Sequence, residues 1–271
     1  WVFRAAYNHS ITRPTLEQMA PGVTYTTTRQ GGDLRARIGN AQLLPFEAKN
    51  IDLAIEHYYQ ENSYISAGYF RKTVDNFIVN ESSTQTFNNV TDPSTGTDPN
   101  AVDDADALAQ FSVISPSNGE SATVEGVEVA VQHLFGESGW GIQANASFVD
   151  SNAELDTANI RSTFALTGLS GAKNMVLFYE KNALQWRVAW NQREGFLQSL
   201  NQTQSTEPTF VSPYKQWDMS LSYQFSPRVS VFFEGINITN ETVHKRGRFS
   251  NHLLLVQDAG ARYALGVNIT Y

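Results

Sequence analysis

Cysteine is missing altogether from this 271-residue chain, which excludes internal disulfides and thiolate metal sites. Long hydrophobic runs are missing as well. No stretch approaches the roughly 18 consecutive apolar residues of a membrane-spanning helix. Mean hydropathy is −0.33. A transmembrane barrel is untouched by that test, because only alternate residues of its strands face lipid. Basic residues are few: Lys+Arg 19 stand against Asp+Glu 27, a net charge of −8. With no basic stripe visible, a nucleic-acid partner is not expected. Catalytic signatures are absent too. There is no Gly-x-Ser-x-Gly, no His-Glu-x-x-His and no phosphate-cradling loop, so neither catalytic residues nor an enzyme is expected, and neither metal nor cofactor is implied. No charged n-region or apolar h-region precedes Trp1–Tyr7, which already has strand character. The chain is therefore expected to be part of a longer one, with any signal peptide upstream.

What is present is alternation. Arg262–Tyr271 places Tyr263, Leu265, Val267, Ile269 and Tyr271 on one face and Ala264, Gly266, Asn268 and Thr270 on the other. A soluble sandwich strand can alternate in this way, but it rarely stops there. A strand of about ten residues, apolar outside and polar inside, is what a lipid-facing barrel wall requires.

The pattern recurs along the chain. Trp1–Asn8, Phe46–Gln60, Tyr64–Val79, Ala122–Phe135, Trp140–Val149, Lys173–Glu180, Leu184–Arg193, Trp217–Phe225, Val229–Ile238 and Arg262–Tyr271 are expected strands, about ten in all. Their connections alternate, long then short. Tight turns are expected near residues 61, 137, 181 and 227. The long polar stretches, such as Ser10–Pro45, Asn80–Ser121 and Glu194–Pro213, are expected to be loops. Short turns on one side and long loops on the other are the habit of outer-membrane barrels. Aromatics cluster near strand ends, among them Tyr59, Phe135, Trp140, Tyr179, Trp186 and Phe225, as headgroup-level girdles do. Aromatic β-propensity alone would also place some of them there. Asp52, Glu56, Glu128, Arg187 and Glu234 are expected on the inner face, since an outward Arg or Lys at midplane depth costs roughly 2–4 kcal/mol.

Site candidates are weaker. Tyr25, Arg29, Arg35, Arg37, Phe87, Phe164, Phe210 and Tyr214 lie in or beside the loops. Aromatic platforms with Arg suit sugar stacking and hydrogen bonding. Surface loops of any protein contain some of these residue types. Asp92, Asp98, Asp103, Asp104 and Asp106 form a solvated acidic loop, or a calcium loop of irregular spacing. Arg246 and Arg248 are either an ordinary exposed basic loop or a contact for lipopolysaccharide phosphate. His57 and His133 are expected outward, near strand ends, as interfacial rather than catalytic histidines.

From Ala6-Tyr7-Asn8-His9-Ser10-Ile11-Thr12-Arg13-Pro14 onward, the chain resembles the C-terminal barrel segment of TonB-dependent outer-membrane receptors. Gly39–Asp52, with Ala41 where proline is usual, Gly68–Lys72, Ser117-Asn118-Gly119, Glu125–Glu128 and Glu234–Asn240 carry the likeness in order, and the terminal aromatic strand closes it. The resemblance implies an all-β, antiparallel transmembrane barrel of about 22 strands with a plugged lumen, of which residues 1–271 are the C-terminal part. It further implies a location in the outer membrane and active, TonB-energised uptake of a bulky nutrient. The wording around Arg13-Pro14 and Asn118-Gly119 is similar to the carbohydrate-uptake branch; a siderophore cargo is the other option. Implied partners are outer-membrane lipid and lipopolysaccharide, an upstream plug, TonB through the missing N-terminal part, and the barrel-assembly machinery reading Tyr263, Leu265, Val267, Ile269 and Tyr271. A passive porin-like or structural barrel is the alternative. A secreted β-domain that binds carbohydrate is a more distant one.

Overall fold

The computed structural model describes residues 1–25, 34–92, 95–97, 105–119, 121–158, 165–200 and 207–270. The strands in chain order are β1 (Val2–Thr12), β2 (Val23–Tyr25), β3 (Leu34–Ile38), β4 (Phe46–Gln60), β5 (Ser63–Asp75), β6 (Ile78–Thr91), β7 (Leu108–Asn118), β8 (Ala122–Leu134) and β9 (Trp140–Ser151). They continue with β10 (Ala172–Lys181), β11 (Leu184–Arg193), β12 (Phe196–Ser199), β13 (Thr209–Val211), β14 (Tyr214–Ser226), β15 (Val229–Ile236), β16 (Val243–Arg246), β17 (Leu253–Gln257) and β18 (Arg262–Ile269). One helical turn, α1 (Leu16–Met19), is closed by a capping box: Thr15 Oγ1 accepts the Gln18 N–H at 3.2 Å, and Gln18 Oε1 accepts the Thr15 N–H at 2.9 Å.

Ten strands form the main sheet, in the order β1-β4-β5-β8-β9-β10-β11-β14-β15-β18. This all-β wall matches the ten expected strands, and β1 and β18 are its open edges. Hairpins are closed where the chain can turn left-handed: Asn62 and Asn182 sit at φ 56° in the short turns, a conformation asparagine tolerates. One expected strand divides. Tyr64–Val79 breaks at Asn76, φ 59°, so that β5 stops at Asp75 and β6 starts afresh.

The described chain forms two compact units. The first comprises Trp1–Asn8, Lys49–Thr73 and Ala122–Tyr271. Its register keeps the two faces apart strand after strand. On the apolar face Trp140 lies opposite Tyr179, Tyr179 opposite Trp186, Trp186 opposite Leu221, Leu221 opposite Phe233 and Phe233 opposite Leu265. That face is open: Leu265 is 76% and Val267 58% exposed. No helix among the described residues is long and apolar enough to cross a membrane.

The inner face carries Phe178, Arg187, Ser220, Glu234 and Ala264 in one row. Glycines there are matched to rings. A β-carbon on Gly126, Gly141 or Gly266 would collide with Phe70, Phe178 or Phe232 on the neighbouring strand. The ring lies across the bare backbone and restores the packing a strand glycine lacks. Gly68, a mid-strand glycine with no such neighbour, meets only the Leu53 carbonyl at an ordinary 3.7 Å.

Stretches expected to be loops contain two further sheets. The first unit adds β12-β13-β16-β17. The second unit, His9–Ala48 and Val74–Ser121, holds β2-β3-β7-β6, with a core of Ala36, Ala109, Phe111 and Val113. There β3 and β7 run parallel, Leu34 opposite Phe111.

Candidate functional site

The inner face of the wall and the structure at its long-connection end carry the polar chemistry. Along β9, β10, β11 and β14 the register sets Asn145, Asn174, Asn191 and Gln216 side by side. Asn174 Nδ2 donates to Asn145 Oδ1 at 2.8 Å. One row nearer the short turns, Gln143 Nε2 donates to Gln132 Oε1 at 3.1 Å. Each amide can both donate and accept hydrogen bonds, and Gln216 Nε2 donates to the Asp218 carboxylate at 2.7 Å. On β1 and β4, Arg4 pairs with Glu56, and Asn50 Nδ2 donates to Asn8 Oδ1 at 2.5 Å.

Toward the short turns the inner face opens into a depression of about 730 Å³, lined by Gln143, Phe178, Arg187, Glu234 and Asn268 among others. Arg187 and Glu234 were expected inward, and both lie here. Phe178 and Phe232 line it as well, and the polar pattern of the inner face does not point to them. The available signal was an aromatic at an inward position of an otherwise polar face.

At the long-connection end of the first unit lies a second cavity, of about 670 Å³. Leu166, Phe196, Leu197, Phe210, Val211 and Arg246 line it. The Arg246 guanidinium stacks on Phe210 at 4.5 Å, and Arg193 stacks on Phe196 at 4.8 Å. Phe210 thus reaches a cavity through a cation–π pair that spacing alone did not announce.

Beside it Glu207 forms a clasp. Its Oε1 accepts the Arg248 backbone N–H and lies 3.3 Å from His252 Nδ1. Arg248 Nη1 donates to the Thr157 carbonyl at 3.4 Å. The Arg248 N–H, aided by His252, holds the Glu207 carboxyl below the usual glutamate range, against the opposing pull of burial. Arg246 and Arg248 are therefore engaged in packing and clasping within this structure.

The other candidates fall elsewhere. Tyr25 and Phe87 belong to the second unit, where both rings meet Phe111, at 5.8 and 5.2 Å. Arg35 lies exposed on β3. Arg29, Phe164 and Tyr271 lie outside the described residues, as do Asp98, Asp103 and Asp104. The remainder of the terminal-strand face, Tyr263, Leu265, Val267 and Ile269, is exposed on β18. No metal-binding group of three or more His, Cys, Asp or Glu residues occurs among the described residues.

Two motifs behind the family resemblance are structural ties. Asn118 Oδ1 accepts the Leu44 N–H at 2.8 Å, and its Nδ2 donates to the Leu44 and Asn76 carbonyls. Asn237, 3% exposed at φ 54°, accepts the Glu241 N–H at 2.8 Å and donates to the Glu241 carbonyl at 3.0 Å. Its own N–H donates to Asp218 at 2.8 Å.

The family described as "TonB dependent receptor-like, beta-barrel" matches residues 1–238. No curated protein matches the chain. Among solved structures, the siderophore receptor PirA from Acinetobacter baumannii is 16% identical with a TM-score of 0.63, covering 99% of this chain and 39% of its own. The ferric enterobactin receptor PfeA from Pseudomonas aeruginosa, solved with enterobactin, is 16% identical with a TM-score of 0.64, covering 98% and 38%. The copper transporter OprC is 11% identical with a TM-score of 0.58, covering 99% and 37%. The chain thus spans about two-fifths of the length of these receptors, and at such identities the likeness is one of fold.

Proposed function

This chain belongs to the TonB-dependent receptor-like β-barrel family, and from that premise we propose that it forms the C-terminal wall of a receptor that takes up a bulky nutrient across the outer membrane. In this reading the wall works together with the receptor's plug inside the barrel and with TonB. The carrying observation is the ten-stranded register, apolar on one face and polar on the other, with short turns at one end and long, structured connections at the other. In an outer membrane the short turns face the periplasm and the long connections the exterior.

Each part then has a task. The apolar face meets lipid. The inner face, with its amide rows and the Arg187 and Glu234 pair of charges, meets the plug and the water around it. The cavity beside Phe210 and Arg246 lies among the exterior connections, where cargo arrives. The cargo we favour is hydroxyl-rich, of the carbohydrate class. Neutral amides bind hydroxyls in both directions, and stacked aromatics suit sugar faces. The solved relatives are siderophore and copper receptors, so this choice of cargo rests on the resemblance and the amide rows alone. A barrel of this kind needs no catalytic group, which accords with a receptor rather than an enzyme.

The test is uptake by cells that depend on the intact receptor. Accumulation of a labelled oligosaccharide should need both this receptor and TonB. Accumulation that persists without TonB would indicate a passive pore and overturn the reading. TonB-dependent accumulation of a ferric chelate instead would correct the cargo.

A further inference from the structure

The depression on the inner face near the short turns has a floor of small residues between two equipped sides. β14 contributes Ser220 and Ser222, whose short side chains form the floor. In register, Ser220 lies between Arg187 of β11 and Glu234 of β15, and Ser222 lies between Gln185 and Phe232. Phe178 stands opposite Arg187 on β10, so the two phenyl rings are three strands apart, roughly 14 Å at the usual strand spacing. Gln143 and Asn268 add amides at the margins. The rings are platforms. Each crosses a glycine of the neighbouring strand, Phe178 over Gly141 and Phe232 over Gly266, so closely that a β-carbon has no room. Both rings line the depression, so the surface that does not rest on glycine faces the lumen.

The charged heads are exposed and unengaged. Arg187 and Glu234 stand two strands apart, about 10 Å, and neither makes a hydrogen bond or ion pair with another described residue. Elsewhere on the inner face opposite charges are joined, as Arg4 is to Glu56. Glu180, at the rim, is occupied by the Gln185 amide, whose Nε2 donates to Oε1 at 3.2 Å. Two carboxylates against one guanidinium tell against an anionic occupant. Arg187 can only donate, Glu234 only accept, and Ser220, Ser222, Gln143 and Asn268 do both. A neutral molecule rich in hydroxyls, with flat C–H faces for the rings, satisfies all of them. The volume of about 730 Å³ lies within the range of small-molecule sites.

We propose that this depression is an exit subsite for a neutral oligosaccharide, engaged as cargo leaves the lumen for the periplasm. Sugar rings stack on Phe178 and Phe232. The sugar between them lies over the serine floor, its adjacent hydroxyls accepting from Arg187 and donating to Glu234. The inference rests on the proposed reading of a carbohydrate cargo. It adds a second stop on the wall, at the opposite end from the cavity beside Phe210 and Arg246.

The test uses cells carrying the intact receptor, a radiolabelled neutral oligosaccharide and two double variants. Phe178→Leu/Phe232→Leu keeps an apolar side chain over each glycine and removes the flat ring. Arg187→Gln/Glu234→Gln keeps polar side chains and removes both charges. Binding to de-energised cells, which also reports a folded receptor, should stay within about twofold, while the maximal uptake rate should fall roughly tenfold in each variant. A photoreactive derivative of the sugar should label the segments around Phe178 and Phe232 in energised cells and leave them unlabelled in cells without TonB. Uptake at full rate by either double variant would overturn the proposal. So would variant cells that admit a large antibiotic the outer membrane normally excludes, because such a leak marks the groove as a seat for the plug. If the unsubstituted receptor accumulates no oligosaccharide, the cargo reading falls and the exit subsite with it. If it does and a variant matches it, the exit subsite alone falls.

Discussion

Two small sheets grow from the long connections, and their strand orders differ. In β12-β13-β16-β17, each strand continues its chain neighbour in the wall. β12 follows β11 across Glu194-Gly195, β13 precedes β14 across Ser212-Pro213, β16 follows β15, and β17 precedes β18. The order of the small sheet repeats the wall order β11-β14-β15-β18. In the second unit simple continuation of β1-β4-β5-β8 would give β2-β3-β6-β7, yet the order is β2-β3-β7-β6. Because β3 leads into β4 and β7 into β8, both run in the same sense, and their pairing has to be parallel. The difference lies in what each sheet rests on. The first keeps the strand order of the wall. The second breaks at Asn76 and re-pairs around its own core of Ala36, Ala109, Phe111 and Val113.

That contrast can be broken by mutation. Val113 is fully buried, and Val113→Asp places an unpaired charge in the independent core, a loss of more than about 4 kcal/mol for that sheet. Hydrogen exchange should show protection lost at β3, β6 and β7 but kept at β10, β11 and β14. Val211, 4% exposed, is the counterpart in the continuing sheet. Val211→Asp should loosen β14 along with β13, because the two are separated only by Ser212-Pro213. Loss confined to β13 would show that the continuing sheet, too, stands alone.

Smaller effects sharpen the same picture. Asn237→Ala removes the tie at the β15–β16 break, leaves buried backbone groups unpaired, and should cost about 2–3 kcal/mol in chemical denaturation. Gly141→Ala forces the Phe178 ring off the wall, at about 1–3 kcal/mol, and Gly141→Ala with Phe178→Leu should recover part of that.

The mildest test is pH. The Glu207 carboxyl is held below its ordinary range when folded, so its contribution is complete above the unfolded value and fades as pH falls through the folded one. Exchange protection at β16 and β17 should therefore weaken below the ordinary glutamate range. Glu207→Gln should remove that acid dependence and leave the rest of the wall unchanged.

How much of this was legible in the sequence follows from what sets each feature. The wall was readable because its strands are apolar on one face and polar on the other, which imposes a strict period of two, as in Tyr263, Leu265, Val267 and Ile269. The small sheets were not. Ser82 and Thr84 on one face of β6, and Ser83 and Gln85 on the other, are all water-compatible, so no alternation marks the strand. The swap of β6 and β7 is decided by a core assembled from distant segments, Ala36 and Phe111 among them, which no local pattern reports. At the candidate site, the inward charges Arg187 and Glu234 followed from parity. The cation–π partner of Phe210 did not, because Arg246 reaches it only through the pairing of β13 with β16.

The central claim is that one strand face meets lipid and the other a watery interior, and β18, which has no cysteine of its own, lets it be tested one residue at a time. Single cysteines at Leu265, Gly266, Val267, Asn268 and Ile269 of the intact receptor, spin-labelled in bilayers, should alternate. Labels at 265, 267 and 269 should collide with oxygen dissolved in lipid, and those at 266 and 268 with a water-soluble relaxant. Equal accessibility along the strand, or the opposite alternation, would contradict the account.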